Sequence, residues 1–245
     1  MFAGVGFDLG ETLIEYEGVP LDWGSKYPQA LAAVAALWGD RLTSGQVESG
    51  SAVLRSHNTR LVPRRHEVDP STVFGELLAA LGAPPARRTA LLDPAADAFF
   101  AVFRRSARAF ADVAVTLASL SAAGTAVGVL TDVPYGMPRR LVLQDLSAAG
   151  LDSLAPSTLT SAEIGVRKPD PAGFEALAHH LRCAAATMLY VGNEQKDIVG
   201  AKASGMTAAL VLRGDAPVPA WGQDLTVTSL EQLLPVVTEG DRTGV

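Results

Sequence analysis

Asp8 closes the apolar run Phe2-Ala-Gly-Val-Gly-Phe7, and Thr12 follows it four residues later. Thr131 and Asp132 close a second apolar run, Thr125 to Leu130. Lys168 stands in Arg167-Lys168-Pro169-Asp170 at the opening of a helical pattern, and Asn193 and Asp197 stand in Val191-Gly192-Asn193-Glu194-Gln195-Lys196-Asp197. A carboxylate at a strand end can act as a nucleophile through an aspartyl-phosphate intermediate. Transfer of a phosphoryl group needs such a nucleophile, positive charge against the non-bridging oxygens, and in-line positioning. An ammonium at Lys168 and a hydroxyl with neighbouring N–H groups at Thr131 would supply the charge and the donors. Each residue has an ordinary reading as well. Asp8 could cap a turn, Thr131 could simply end a strand, and Lys168 could be a solvated lysine before a helix that starts at proline.

These residues need elements to hold them. Further short apolar runs at Thr187–Val191, Thr207–Leu212 and Leu225–Val227 read as buried strands. Helical patterns lie between them at Val113–Ala123, Pro138–Ala148, Pro171–Leu181, Ile198–Ser204 and Ser229–Val237. Strands and helices alternating at these lengths predict an α/β doubly wound sheet, whose ligand site lies beyond the carboxyl ends of the strands. Asp8, Thr131 and Asn193 each fall at such an end. Residues 15–109 break the alternation and read as almost entirely helical. Leu31, Val34 and Trp38 share a face, Val73–Leu81 is closed by Gly82 and Pro84, and Phe99, Phe103 and Phe110 share a face in the segment starting at Pro94. Glu239–Val245 reads as a frayed tail.

Composition narrows the function classes. The 245 residues are 48% hydrophobic and 19% charged, which excludes a disordered chain. The net charge of −6, without a Lys/Arg block, argues against nucleic acid or an anionic membrane as partner. The longest apolar stretch, Ala30–Trp38, is about half of the roughly 20 residues that cross a bilayer, and no signal peptide is read. Cys183 is alone, so no intrachain disulfide forms, and a cytoplasmic location is expected.

The four segments, in this order and each at a strand or helix edge, resemble the motifs of the haloacid dehalogenase superfamily of phosphohydrolases. The helical stretch resembles that family's C1-type cap. The resemblance implies a Rossmann-like core at residues 1–14 and 110–245, with the cap at 15–109. It implies hydrolysis of a small phosphorylated metabolite, with Asp8, Thr12, Thr131 and Lys168 as catalytic residues. Substrate contacts would come from Thr131, Asp132, Lys168, Trp23 and Arg60. Two anions repel, so Asp8 and a phosphate need a cation between them, and the family uses Mg²⁺, here assigned to Asp8, Gly10, Asn193 and Asp197. A homodimer stays open.

Two residues depart from the family's pattern. Gly10 stands where those phosphatases carry a second Asp that protonates the leaving group, a contribution typically worth about 10²–10⁴-fold. Its carbonyl could still face a metal, and neighbouring Glu11 is a candidate replacement acid. Asn193 stands in place of the first Asp of the fourth motif and keeps an oxygen while losing a charge, for which Glu194 could compensate. Asp132 stands where many members carry Asn. The 2-haloacid dehalogenases of the same superfamily lack the second Asp, use no metal and carry an Asn in the fourth motif; they have a tyrosine where this chain has Gly10. A third reading is a quiet binding protein on the same fold. In the insert, Arg55 to His66 is the most cationic stretch and suits either an anionic substrate group or a solvated helix end and loop, and Trp23 and Tyr27 are candidate pocket walls, though aromatic residues beside helical apolar positions are more often core. His179, His180 and Cys183 lack the spacing of a metal or nucleophile site and receive no role.

Overall fold

In the computed structural model, the described residues are 2–19, 23–104, 107–214 and 217–238. Among them, six parallel strands form one sheet in the order β5-β4-β1-β6-β7-β8. The strands are β1 (Gly4–Phe7), β4 (Ala126–Thr131), β5 (Thr158–Thr160), β6 (Met188–Gly192), β7 (Thr207–Val211) and β8 (Leu225–Val227). The chain builds outward from β1 through β4 to β5, returns to β6 on the other side, and builds outward again. The winding therefore reverses around β1, where a crevice opens at the carboxyl edge.

The period-two alternation of the strands sorts their side chains onto two faces. Val5, Phe7, Val129, Leu189, Val191, Ala209 and Val211 meet the residues of α5 (Val113–Ala122), α6 (Arg139–Ala148) and α10 (Leu234–Thr238). Leu130, Met188, Tyr190, Ala208 and Leu210 meet α8 (Pro171–Leu181) and α9 (Gln195–Ala203) through Phe174, Leu177, Ile198 and Ala201. On that second face β1 and β4 contribute glycines. A Cβ on Gly6 would lie 2.6 Å from Leu177 Cδ2, and one on Gly128 would lie 2.9 Å from Leu177 Cδ1. The missing side chains let α8 settle against the strands, which brings the segment before it over the sheet edge.

After β1 the chain enters an antiparallel ribbon, β2 (Ile14–Tyr16) with β3 (Ala107–Ala109), in the register Ile14↔Ala109. Between these strands lie α1 (Tyr27–Ala35), α2 (Ser44–His57), α3 (Pro70–Ala80) and α4 (Arg88–Arg104), with α1 packed on α2 and α4, and α3 on the same two. Thr43 caps α2 in a reciprocal box with Gln46, and Asp69 caps α3. Phe74, Phe99, Phe100 and Phe103 meet in edge and tilted contacts at the centre of the insert.

The ribbon corrects the reading of 15–109 as almost all helix. Phe110 lies beyond β3 rather than on α4, its ring 4.1 Å from the Arg213 guanidinium, and Trp38 lies past the end of α1. The short edge strand β5 and the one-turn helix α7 (Ser161–Ile164) were also unforeseen. Three-residue strands are too short to show a period, and Ala107-Arg-Ala109 is poor in β-branched residues. The tail at 239–245 lies outside the described residues. No helix among the described residues is long and apolar enough to cross a membrane.

Close packing at Gly6 makes a simple test. Gly6→Ala forces a methyl group into contact with Leu177 and with Tyr190, whose Cδ2 would lie 2.8 Å away. Overpacking of this kind costs about 1–3 kcal/mol, so the melting temperature should fall by several degrees in a thermal scan.

Candidate active site

Pairing of β1 with β6 continues one residue past the strand, where the Asp8 N–H donates to the Val191 carbonyl at 2.9 Å. The chain then reverses sharply. The Leu13 and Ile14 N–H groups donate to the Leu9 carbonyl at 2.9 and 3.0 Å, and Glu11 takes the left-handed conformation at φ 56°. Asp8 is thereby held at the sheet edge, at the point where the winding reverses.

Lys168 reaches the same point from the segment before α8. That helix starts cleanly, with Pro171 in its first turn and Asp170 accepting from the Ala172 N–H at 3.0 Å. The Lys168 backbone N–H donates to Asp132 Oδ1 at 3.0 Å, which fixes the lysine against the end of β4. Its Nζ lies 2.5 Å from Asp8 Oδ1 and 2.6 Å from Asp197 Oδ1. Beneath it, the Leu130 carbonyl and the Tyr190 hydroxyl are each 3.3 Å away. The Lys168 side chain is 1% exposed, that of Asp197 0% and that of Asp8 10%.

Asp197 is placed by the start of α9. Its Oδ2 accepts from the backbone N–H groups of Asn193 at 3.1 Å and Glu194 at 2.9 Å. Gly192 makes room for this fold-back, since a Cβ there would sit 2.4 Å from the Asp197 carboxyl carbon. Burial raises the Asp8 carboxyl to about 6, with Asp197 adding to the rise and Lys168 opposing it. Burial alone would lower the Lys168 ammonium, but Asp197 and Asp8 outweigh it and hold it well above the ordinary lysine value.

A second layer of charge surrounds the first. Asp132 Oδ2 lies 3.2 Å from Lys196 Nζ and 3.7 Å from Arg167. Burial opposes its ionisation, but Lys168, Lys196 and Arg167 bring its carboxyl below the usual range. Glu194 takes Lys196 on one oxygen at 2.8 Å and Arg60 on the other at 2.7 Å. Against the effect of burial, these cations lower it to about 2. Arg167 is buried, paired with Glu67 and donating to the Val133 carbonyl at 2.6 Å.

The insert is stitched to the core beside this layer. The Arg167 N–H donates to the Arg65 carbonyl at 2.8 Å and the Glu67 N–H to the Gly165 carbonyl at 2.9 Å. Ser161 also donates its hydroxyl to Glu67, at 2.6 Å.

A cavity of about 1010 Å³ lies between the insert and the sheet edge. Asp8, Gly10, Thr131, Asp132, Lys168 and Asn193 line it, and so do Trp23 and Arg60 from the insert. Thr12 and Asp197 are fully buried behind it. The Thr12 hydroxyl donates to Asn193 Oδ1 at 3.3 Å, and its carbonyl accepts from Arg213 at 2.6 Å. Tyr27, read as a pocket wall, instead points into a buried contact in which its hydroxyl meets that of Tyr135 at 2.6 Å and accepts from Asn58 at 2.8 Å. Much of the cationic stretch is neutralised, with Arg55 on Glu48, Arg64 on Glu67 and Arg65 on Asp170. Lys196, Arg167 and Tyr190 were missed as site residues. Lys196 and Arg167 sit inside quoted motifs, where their charge was visible, but the pairing with Asp132 depends on two distant loops.

The donor chemistry can be tested against a hard divalent cation. Asp197 uses Oδ2 on two backbone N–H groups, while its Oδ1, 2.6 Å from Lys168 Nζ, is a buried oxygen without a hydrogen-bond partner. Asp8 Oδ2, the Asn193 side-chain oxygen, the Gly10 carbonyl and Asp197 Oδ1 are the oxygens that could face an ion. Among the described residues, no cluster of three or more His, Cys, Asp or Glu is arranged to hold a metal. Mg²⁺ commonly uses one or two carboxylates, keeps several waters and shares a substrate phosphate. This all-oxygen set fits such an ion.

Comparison with known proteins shows what the chain resembles. Residues 91–211 match the family model described as haloacid dehalogenase-like hydrolase. The chain is 34% identical over 163 residues to a phosphoserine phosphatase of Thermus thermophilus, a match covering 66% of this chain and 62% of that protein. It is 29% identical over 153 residues to a phosphoglycolate phosphatase of Xanthomonas campestris, covering 60% and 67%. The matches thus span about two thirds of the length of these curated relatives. Among solved structures, a 2-haloacid dehalogenase from Pseudomonas syringae superposes with a TM-score of 0.68 at 23% identity, covering 98% of this chain and 99% of that one. A phosphatase from Thermococcus onnurineus superposes with a TM-score of 0.64 at 20% identity, covering 98% and 99%.

The raised Asp8 carboxyl carries a prediction with a definite sign. The folded chain holds that proton up to about pH 6, whereas an unperturbed aspartate loses it near 3.8. Stability contributed by this group is therefore present at low pH and is lost as pH rises from about 3.8 to about 6. Asp8→Asn cannot ionise, so without added divalent ions it should melt above wild type at neutral pH, with the gap closing toward pH 4. Scanning fluorimetry across this range checks it, and identical melting at every pH would refute it.

Proposed function

Because the chain belongs to the haloacid dehalogenase superfamily of hydrolases, we propose that it hydrolyses a small phosphomonoester through an aspartyl-phosphate formed on Asp8. The observation that carries this reading is the 2.5 Å contact between Asp8 and the buried Lys168 ammonium, on the wall of the cavity where the sheet reverses its winding. A nucleophile and a fixed cation converge there, as phosphoryl transfer requires.

In this scheme an Asp8 carboxylate oxygen attacks phosphorus in line with the ester bond. The leaving oxygen departs with the bonding electron pair and takes up a proton. Water then attacks phosphorus, releasing inorganic phosphate and restoring the carboxylate. Lys168 stabilises the ionised nucleophile and faces the charge that spreads over the transferring group. Thr131, at the end of β4, offers its hydroxyl to a phosphate oxygen, and Lys196 adds positive charge from α9. Asp8, Asn193, Asp197 and the Gly10 carbonyl would hold Mg²⁺, which when bound supplies neutralisation of phosphoryl charge. The insert at 15–109 acts as a cap on the core at 1–14 and 110–245 and excludes water from the reaction.

A second reading has its own observation. Gly10 and Asn193 remove carboxylates from the site, and Asp197 lies 2.6 Å from Lys168. That pattern suits metal-independent attack of Asp8 on carbon with release of halide. Phosphate and halide release, assayed side by side with and without Mg²⁺, separate the two.

For the phosphatase reading, Asp8→Asn should abolish phosphate release, and Lys168→Met should lower kcat by about 10²–10³-fold, in the range for losing one electrostatic stabiliser. Asn193→Asp should reduce the Mg²⁺ concentration for half-maximal activity roughly tenfold by restoring a charged ligand. Halide release from a 2-halo acid that is indifferent to chelator, with no phosphate release, would overturn the reading.

A further inference from the structure

Resting on the phosphatase reading, we infer that Glu67, a residue of the insert, is a positioning residue for the reaction: it holds the loop after β4 and the backbone of Lys168 in place around Asp8. The reacting groups arrive on separate chain segments, and two of those segments are tied together at this one carboxylate.

Glu67 lies between α2 and α3, and its side chain is 3% exposed. Its Oε2 accepts from two donors of the core, the Arg167 guanidinium and the Ser161 hydroxyl, the latter at 2.6 Å. Both donors also bind the backbone of Val133. The Val133 N–H donates to the Ser161 hydroxyl oxygen at 3.0 Å, and the Val133 carbonyl accepts from Arg167 at 2.6 Å. One carboxylate oxygen therefore closes a ring that fixes both backbone groups of Val133, two residues after Thr131. The other oxygen accepts from the Val68 N–H at 3.0 Å and from Arg64 at 3.2 Å, so the carboxylate is held in one orientation.

The same carboxylate acts on Lys168. Residues 65–67 and 165–167 form a short antiparallel bridge, with His66 opposite Val166, the Arg167 N–H on the Arg65 carbonyl and the Glu67 N–H on the Gly165 carbonyl. Arg167 is the residue before Lys168, and its side chain is 6% exposed. A guanidinium buried to that extent must be paired. Glu67 pairs with it directly, while Asp132 stands 3.7 Å away and is the acceptor for the Lys168 N–H, at 3.0 Å. With Glu67 neutral, Asp132 is the carboxylate left to Arg167, and the pull of the guanidinium draws it off the Lys168 N–H. Loss of one charge in the insert thus disturbs the loop of Thr131 and the segment of Lys168 together. Arg64, Arg65 and Arg167 line the cavity and Glu67 is buried behind them, so it acts through its partners rather than on the substrate. Displacement of reacting groups by about 1 Å can lower a rate about 10²-fold.

Phosphate release from p-nitrophenyl phosphate and from acetyl phosphate, with Mg²⁺ present, is measured for wild type, Glu67→Gln, Ser161→Ala, the double variant and Arg140→Ala. Each is assayed well below its own melting temperature, taken by circular dichroism, so that loss of folded protein does not enter the rate. Glu67→Gln keeps the shape and removes the charge. It should lower kcat about 10- to 10²-fold with KM moved by less than about threefold, the split expected when groups that act in the transition state are displaced. Ser161→Ala opens the ring at Val133 and should lower kcat roughly three- to tenfold, again with little change in KM. Because both side chains act through one ring, the double variant should be slower than Glu67→Gln by no more than about twofold. Arg140 pairs with Asp97 and joins α6 of the core to α4 of the insert away from Val133, so Arg140→Ala should keep kcat within about twofold of wild type. If Glu67→Gln does not fold, Ser161→Ala decides alone, by the same fall in kcat at steady KM.

An unchanged kcat in Glu67→Gln, a loss that falls on KM instead, a fall in Arg140→Ala as large as that in Glu67→Gln, or single losses that multiply in the double variant overturns this inference and leaves the phosphatase reading standing. So does an unchanged kcat in Ser161→Ala where Glu67→Gln does not fold. Absence of phosphate release from both compounds in wild type overturns both.

Discussion

A single ammonium group shared by two carboxylates organises this molecule. Lys168 is reached by Asp8 from the end of β1 and by Asp197 from the first turn of α9, so three separate chain segments end on one atom. None of the three charges could be buried alone, because an unpaired ion in the interior costs several kcal/mol. Together they can be, provided every other lone pair is met. Two backbone N–H groups meet the far oxygen of Asp197, and the Leu130 carbonyl and Tyr190 hydroxyl meet the ammonium. The oxygen of Asp8 left on the open side is the one that chemistry can use.

The sheet was legible because its signals are local. Each long strand is a run of apolar residues ended by a polar one, and Asp8, Thr131 and Asn193 announce the carboxyl edge by interrupting such runs. The motif around Lys168 was legible for the same reason, since Pro171 and Asp170 mark a helix start within a few residues. What escaped was pairing at long range. The β2–β3 ribbon joins Ile14 to Ala109 with three residues on each side, too few to carry a pattern. The 2.6 Å approach of Asp197 to Lys168 depends on where α8 lies over Gly6 and Gly128, a matter of packing that no spacing reveals.

The insert and the core share their charges instead of meeting across a neutral seam. Arg60 of the insert engages Glu194, the residue before α9, and Glu67 of the insert engages Arg167 and Ser161 of the core. Arg167 is the residue before Lys168, and its backbone pairs with Arg65. The contacts that seat the insert are thus made by the segment that delivers Lys168. A displacement of the insert would be felt at Lys168 through a few covalent bonds, which ties the shape of the cavity to the position of the cation.

The two motif departures also make sense as a pair. An acid at position 10 and a carboxylate at position 193 would each place negative charge beside Asp8, which burial and Asp197 already raise to about 6. With both absent, Lys168 serves a smaller cluster of anions, and Lys196 adds a further positive charge that favours the ionised Asp8. A site of that composition favours an arriving dianion more than one crowded by further carboxylates would.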